Sequence, residues 1–256
     1  MGYMKTEVRD GIGVLTFNKP EVHNAMDDAA IAEMYDAFVS AKQNKDIRVV
    51  VLRGEGKSFH TGRDVRAMGV RPEGMSHFEF MKFGQRNIVA LLDMGKPTIA
   101  AMKGGAFGGG AELALCCDMR VTSTELKFSL PEVKFGLAVD QGGSALVASL
   151  IGPSKTKWLL MTGETINAQT AMDWGLADFM VAPEELDAEV LDIATKIAQN
   201  PGRAVLAAKD LVDELWADGV RAAIRRELVA QLALFGSEEF AELRAKRQAT
   251  AAKAAD

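Results

Sequence analysis

The sequence is poor in the residues that would make a stapled, metal-bound or membrane-spanning chain. Of 256 residues two are cysteine, Cys116 and Cys117, and they are neighbours. Adjacent cysteines rarely bridge, because the geometry is strained. A disulfide scaffold is therefore excluded, and a reducing compartment is expected. Three scattered histidines, His23, His60 and His77, offer no metal-ligand spacing, so no metal is expected. Apolar runs such as residues 145–151 fall far short of a membrane span. The N-terminal MGYMKTEVRDGIG has no apolar signal core and no Arg/Ser-rich amphipathic stretch. A cytoplasmic protein with no membrane partner is the expectation. Charge of one sign is missing too: 30 Lys+Arg stand against 35 Asp+Glu, a net −5. That balance, with no basic–aromatic stripe, argues against nucleic acid as a partner.

What is present is an ordinary globular composition, 48% hydrophobic and 25% charged, which excludes disorder for the bulk of the chain. Asp10-Gly11 joins two strand-like runs as a hairpin, the second being residues 12–17. Asp27 or Asp28 caps a helix carrying Ile31, Met34, Tyr35 and Phe38 on one face. Residues 49–52, 97–102, 119–122 and 177–181 read as strands, and 83–94, 143–150, 155–162 and 167–174 as helices, with another from Ala111. Residues 66–84 show no clean period and suggest a mobile loop or short helix. Strands alternate with helices to about residue 182, the pattern of an α/β fold. Beyond Glu184 the spacing is helical only, over 186–199, 203–215 and 220–235. Residues 243–256 read as a solvated helix with a frayed end. We place an α/β core over 1–196 and a C-terminal helical segment over 197–256.

Three stretches could carry chemistry: Phe59-His60-Thr61-Gly62-Arg63-Asp64, Gly108-Gly109-Gly110-Ala111-Glu112 and Leu130-Pro131-Glu132. Glycines opening a helix let backbone approach a ligand closely, and the first N–H groups of the helix lack internal partners. Such groups suit a negative oxygen. With an N–H from the Gly62-Arg63 turn they could form an oxyanion hole, where one donor contributes roughly 3–4 kcal/mol. The same glycines would also serve tight helix–strand packing. The order is neither a dinucleotide fingerprint nor a P-loop, and no G-x-S-x-G elbow exists. Taken alone, Glu112 reads as a dipole-stabilised surface acid, Glu132 as a solvated loop acid and Asp140 as a helix N-cap. His60 and His77 read as structural or exposed, and the cysteines as core.

Together the motifs resemble the crotonase, or enoyl-CoA hydratase/isomerase, superfamily. Asn18-Lys19-Pro20-Glu21 with Asn24-Ala25, the 59–64 stretch, PTIAAMKGGAFGGGAELA at 97–114, FSLPEVKFGLAVDQGG at 128–143 and AMDWGLA at 171–177 lie in the family's order. The resemblance implies a spiral of repeated ββα units followed by a helical trimerisation segment, giving a homotrimer or a dimer of trimers. It implies an acyl-CoA thioester as substrate, with coenzyme A part of that substrate and no separate cofactor. Carried over by position, the oxyanion donors are the N–H groups of Arg63 and Gly109, and the catalytic acids are Glu112 and Glu132. His60, Gly62, Asp64, Val65, Met68, Gly108 and Asp140 are the implied substrate contacts. A pair of glutamates points to an enoyl-CoA hydratase: one serves water, one serves carbon, and an anion trap holds the enolate. His60, Thr61 and Arg63 depart from the small residues usual there. Asp140 is a third acid, resembling that of carnitinyl-CoA dehydratase-like members. It leaves open a carnitinyl-CoA-type dehydratase, a double-bond isomerase or a thioester hydrolase. A noncatalytic RNA-binding relative is the remote alternative.

Overall fold

Asp10 and Gly11 both take positive φ, 51° and 81°, as a tight two-residue hairpin requires. They fold β1 (Met4–Arg9) antiparallel onto β2 (Ile12–Phe17). The computed structural model describes residues 2–65 and 70–253. In it β2 begins a parallel run with β3 (Val49–Gly54), β4 (Thr98–Met102), β6 (Met119–Ser123) and β9 (Phe179–Val181). The order across this sheet is β1-β2-β3-β4-β6-β9. A smaller sheet joins β5 (Gly105–Phe107), β7 (Lys127–Ser129) and β8 (Ile166–Asn167) in that order.

The large sheet is covered on both faces, which is why its strands read as continuous apolar runs. Leu15, Phe17, Val50, Leu52, Ala100 and Met102 point into the main core. That core is closed by α1 (Asp28–Gln43), α2 (His77–Leu92), α3 (Gly109–Cys116) and α4 (Gly143–Thr162). Alternate residues, among them Ile12, Val49, Val51, Ile99, Ala101 and Val121, point the other way. They meet Leu186, Val190, Ala194 and Ala198 of α6 (Leu186–Gln199), so α6 runs across the boundary expected at 196. A short helix α5 (Ala168–Trp174) leads into β9. After α6 come α7 (Gly202–Asp213), α8 (Ala217–Phe235), which packs on α2 and α4, and α9 (Glu238–Lys253).

Asp27 supplies the α1 cap, accepting from the Ala30 N–H. The helix expected at 83–94 starts six residues earlier. Ser76 and Glu79 form a reciprocal capping box there, and that S-x-x-E signal outweighs the broken period before it. β5 and β7 are three residues each and lie in glycine-rich or turn-like sequence, too short for periodicity to mark. Gly152, at φ 75° and followed by Pro153, breaks α4 between the two helices expected there. Asp140 is not the α4 cap; that position belongs to Gly142. Glu132 lies not in a loop but in a 3-10 helix, Glu132–Phe135. The helix expected over 243–256 belongs, as far as residue 253, to α9, but it is not wholly solvated: Arg247 donates to the Lys134 carbonyl at 2.6 Å and covers the Phe135 ring. Cys116 and Cys117 are free and buried.

Candidate functional site

Two turns are clamped side by side beyond the strand ends. In the first, Asn24 is wholly buried, and its Nδ2 donates to the carbonyls of Glu55, Ser58 and Phe59. Its Oδ1 accepts from the Lys19 N–H at 2.9 Å. The Asn18-to-Ala25 motif thus braces the approach to Gly62. The Met26 N–H donates to Gly62 O, and the Asp64 N–H to Met26 O, both at 2.9 Å. In the second turn, the Phe107 N–H donates to His60 O at 3.0 Å and the Gly108 N–H to Ser129 O at 3.0 Å. The turns are so close that a Cβ on Gly62 would lie 2.8 Å from Phe107 O and 3.2 Å from Gly109 N. Gly62 also has φ +80°, so glycine is required there twice over. Between these turns the N–H groups of Arg63 and Gly109 have no acceptor among the described residues.

The His60 ring lies behind the first turn. It is wholly buried. Nδ1 accepts from the Gly62 N–H at 2.9 Å, so in the neutral ring the proton sits on Nε2. Nε2 then donates to the Tyr3 hydroxyl at 3.2 Å, which donates to Asn24 O at 2.7 Å. Burial pushes this imidazole down to about 3, so it stays neutral.

Carboxyl groups gather beside the second turn, where a Cβ on Gly108 would lie 3.0 Å from Oε1 of Glu132. Glu112, in the first turn of α3, is fully buried rather than at the surface. Its Oε1 accepts from the Gln141 and Gly143 N–H groups at 3.0 and 2.9 Å. Its Oε2 is buried with no partner, and so is Oε2 of Glu132. A buried polar atom without a partner is uncommon and wants a donor. Burial holds Glu112 well above the ordinary carboxylate range, and the charges of Asp140, Glu132 and Glu227 add to it. Glu132 is pushed up to about 8, first by burial, with Asp140 and Glu227 adding. Asp140 is pushed up to about 7 by burial and then Glu227, against the pull of Arg63. Arg63 itself pairs with Asp28 at 2.7 Å and stacks over the Phe80 ring. Among the described residues no group of His, Cys, Asp and Glu could hold a metal ion, and no helix is long and apolar enough to cross a membrane.

The enoyl-CoA hydratase/isomerase family model matches residues 7–246. The chain belongs to that family. It is 35% identical over 231 residues to the crotonyl-CoA hydratase of Syntrophomonas wolfei subsp. wolfei, which covers 90% of this chain and 87% of that protein. It is 33% identical over 250 residues to the carnitinyl-CoA dehydratase of Proteus mirabilis, covering 92% and 94%. Among solved structures, an enoyl-CoA hydratase from Mycobacterium avium subsp. paratuberculosis matches with a TM-score of 0.87 at 26% identity, over 96% and 98% of the two chains.

Positions named from the crotonase motifs converge on one cavity of about 910 Å³. Gly62, Arg63, Asp64 and Val65 line it from the first turn, and Gly108 and Gly109 from the second. Glu132 and Asp140 line it too. His60 does not: expected as a substrate contact, it supports the turn from behind, because its ring is consumed by Gly62 and Tyr3. Glu112 is packed beneath the lining rather than in it. Met68 lies outside the described residues. Cavity residues outside any motif include Phe80 and Met81 on α2, and Gln231 and Phe235 on α8. Glu227 was missed as well. Its signal was a charge on the buried stripe Val220, Ala223, Ile224, Leu228.

Proposed function

We propose that the chain adds water reversibly across the double bond of a 2-enoyl-CoA thioester. The observation that carries this reading is the pair of acceptorless N–H groups, Arg63 and Gly109, beside a cavity lined by Glu132 with Glu112 packed just beneath, the Oε2 atoms of both lacking partners. The thioester carbonyl oxygen takes the two N–H groups. Glu112, ionised, accepts a proton from water as the water oxygen bonds to the β-carbon. The π electrons move onto the carbonyl oxygen, where the two donors stabilise a charge that exists only along the reaction path. Glu132, protonated, gives its proton to the α-carbon, and the carbonyl reforms. Burial holds both carboxyls up and their repulsion resists double ionisation, so the reacting form is the singly ionised pair with the proton on Glu132. Coenzyme A is part of the substrate in this scheme, and no further cofactor is required.

The test is a panel of enoyl-CoA thioesters, read by loss of the conjugated thioester absorbance and by mass spectrometry. Glu132→Gln should cut turnover by a factor of 10² or more, in the range of general acid–base loss, while still binding butyryl-CoA. Absence of water addition across the whole panel defeats the reading.

A second reading rests on Asp140, which lines the cavity and resembles the acid of carnitinyl-CoA dehydratase-like proteins. It is a different reaction in the same oxyanion hole: dehydration of a polar acyl group or isomerisation through the enolate, or thioester hydrolysis, in which water adds to the carbonyl carbon and the coenzyme A thiolate leaves. Turnover in ¹⁸O water separates these outcomes. Hydration labels the β-carbon, hydrolysis labels the free acid, and isomerisation labels neither. We also infer a homotrimer or a dimer of trimers. The exposed apolar side chains Met161, Leu211, Val212 and Leu215 support burial between copies. Light scattering that returns the mass of a single chain contradicts it.

A further inference from the structure

Four successive backbone N–H groups at the start of α4 are shared alternately by two carboxylates. Gln141 and Gly143 donate to Oε1 of Glu112. Gly142 donates to Oε2 of Glu227 at 2.6 Å, and Ser144 donates to its Oε1 at 2.9 Å. The Ser144 hydroxyl adds a bond to the same Oε1 at 2.5 Å. Glu227 comes from α8, 85 residues after Gly142, and is 7% exposed.

A helix start needs acceptors for its first N–H groups and favours negative charge. Ordinarily a Ser, Thr, Asp or Asn at the N-cap supplies one at the surface. Here the N-cap is Gly142, with no side chain to offer. Burying a carboxylate from a distant helix is a costly substitute for a local cap. Its geometry does something a local cap would not. With the Gly142 and Ser144 amides fixed from one side, the Gln141 and Gly143 amides are aimed to the other, at Glu112. That occupies Oε1 of Glu112 and leaves Oε2 unpartnered.

We propose that Glu227 is a positioning residue for the reaction: by gripping the Gly142 and Ser144 amides it orients the peptide run that fixes Glu112. The proposal rests on the hydration reading above. Glu227 also acts through its charge. The acids it acts on are Glu112 on α3, Glu132 on the 3-10 helix and Asp140 in the loop before α4; Arg63, paired with Asp28, pulls on Asp140 in the other direction. From α2 the neighbouring side chain is the neutral Gln85, which donates to Asp140 O and Ile224 O. The negative charge at 227 raises all three nearby acids.

The experiment compares wild type, Glu227→Gln and Glu227→Asp as full chains, using the best enoyl-CoA of the panel. In E227Q, kcat should fall at least tenfold with KM within threefold. Both limbs of the kcat pH profile should move to lower pH, because an anion has been removed from beside the acids. E227D keeps the charge but shortens the reach, so the limbs should return to their wild-type places while kcat stays reduced. Glutamate carboxyl titrations by ¹³C NMR give a readout independent of turnover and should show the same downward shift in E227Q. A kcat within twofold of wild type in E227Q overturns the proposal. So does a lowered kcat with the pH limbs and the carboxyl titrations unmoved, which is what mere loosening would give. Should E227Q fail to fold, E227D decides, and wild-type kcat there overturns the proposal. A wild type that hydrates no thioester defeats the hydration reading; the NMR titrations then still decide whether Glu227 governs Glu112.

Discussion

The Gly62 N–H donates to Nδ1 of His60 at 2.9 Å, and the accepting ring is sealed from solvent. The first turn of the site therefore depends on an imidazole that stays uncharged at neutral pH, since burial pushes it down. An unfolded histidine titrates near 6.5, whereas His60 is held down to about 3. Between those values the unfolded chain binds a proton that the folded chain refuses. Stability is thus lost as pH falls through that window, by up to about 1.4 kcal/mol per pH unit. His60→Gln should be the less stable protein at pH 7.5, by about 1–3 kcal/mol for the disturbed buried bonds. The gap to wild type should narrow by pH 5, measured by urea unfolding. A gap that stays constant with pH refutes this account.

Glu132 has the opposite sign. Its carboxyl is raised from 4.5 to about 8, so across that window the folded chain keeps a proton the unfolded chain has shed. Rising pH therefore costs stability, again at most about 1.4 kcal/mol per pH unit. Glu132→Gln cannot ionise. Its Tm should match wild type near pH 4.5 and exceed it increasingly towards pH 8. A lower Tm than wild type at pH 8 would contradict the shift.

Gly110 is fixed by close approach rather than by conformation. A Cβ there would lie 2.1 Å from His60 O and 2.7 Å from its carbonyl carbon. Gly110→Ala must move backbone, and about 1–3 kcal/mol of stability should go with it. Gly219, on α8, has nothing within 4 Å, so Gly219→Ala should stabilise by about 0.5–1 kcal/mol. Thermal or denaturant melts of the two variants should differ in sign.

Cys116 and Cys117 are buried, and burial pushes both thiols up, Cys117 to about 12. Neither offers thiolate at neutral pH. A thiol reagent at pH 8 should label no cysteine in the folded protein and both in urea. Fast labelling of the native protein would show the α3 end to be open.

The strands with continuous β-branched runs were legible because burial on two faces leaves no room for polar alternation, as at Val49, Val50 and Val51. The glycine stretch and its paired acids were legible because their order in the chain is specific. The burial of Glu112 was not. Its N-terminal helix position gives the same sequence signal whether water or the Gln141 and Gly143 amides satisfy the carboxyl. His60 was misplaced for a related reason: a residue within a site motif can face the ligand or prop the turn, and only Tyr3, 57 residues away, settles which. Glu227 and Gln231 fall on an ordinary buried helical stripe, where a polar residue looks like an isolated exception until the partner amides are known.

Helix α8 comes late in the chain, yet it brings Gln231 and Phe235 to the cavity wall and Val220 and Ile224 to the main core. During synthesis the sheet and its early helices can assemble while that wall is still missing. The nascent protein must therefore carry an uncovered apolar trough until residue 235 has left the ribosome. That interval is when a chaperone, or a neighbouring unfinished copy, meets it at its stickiest.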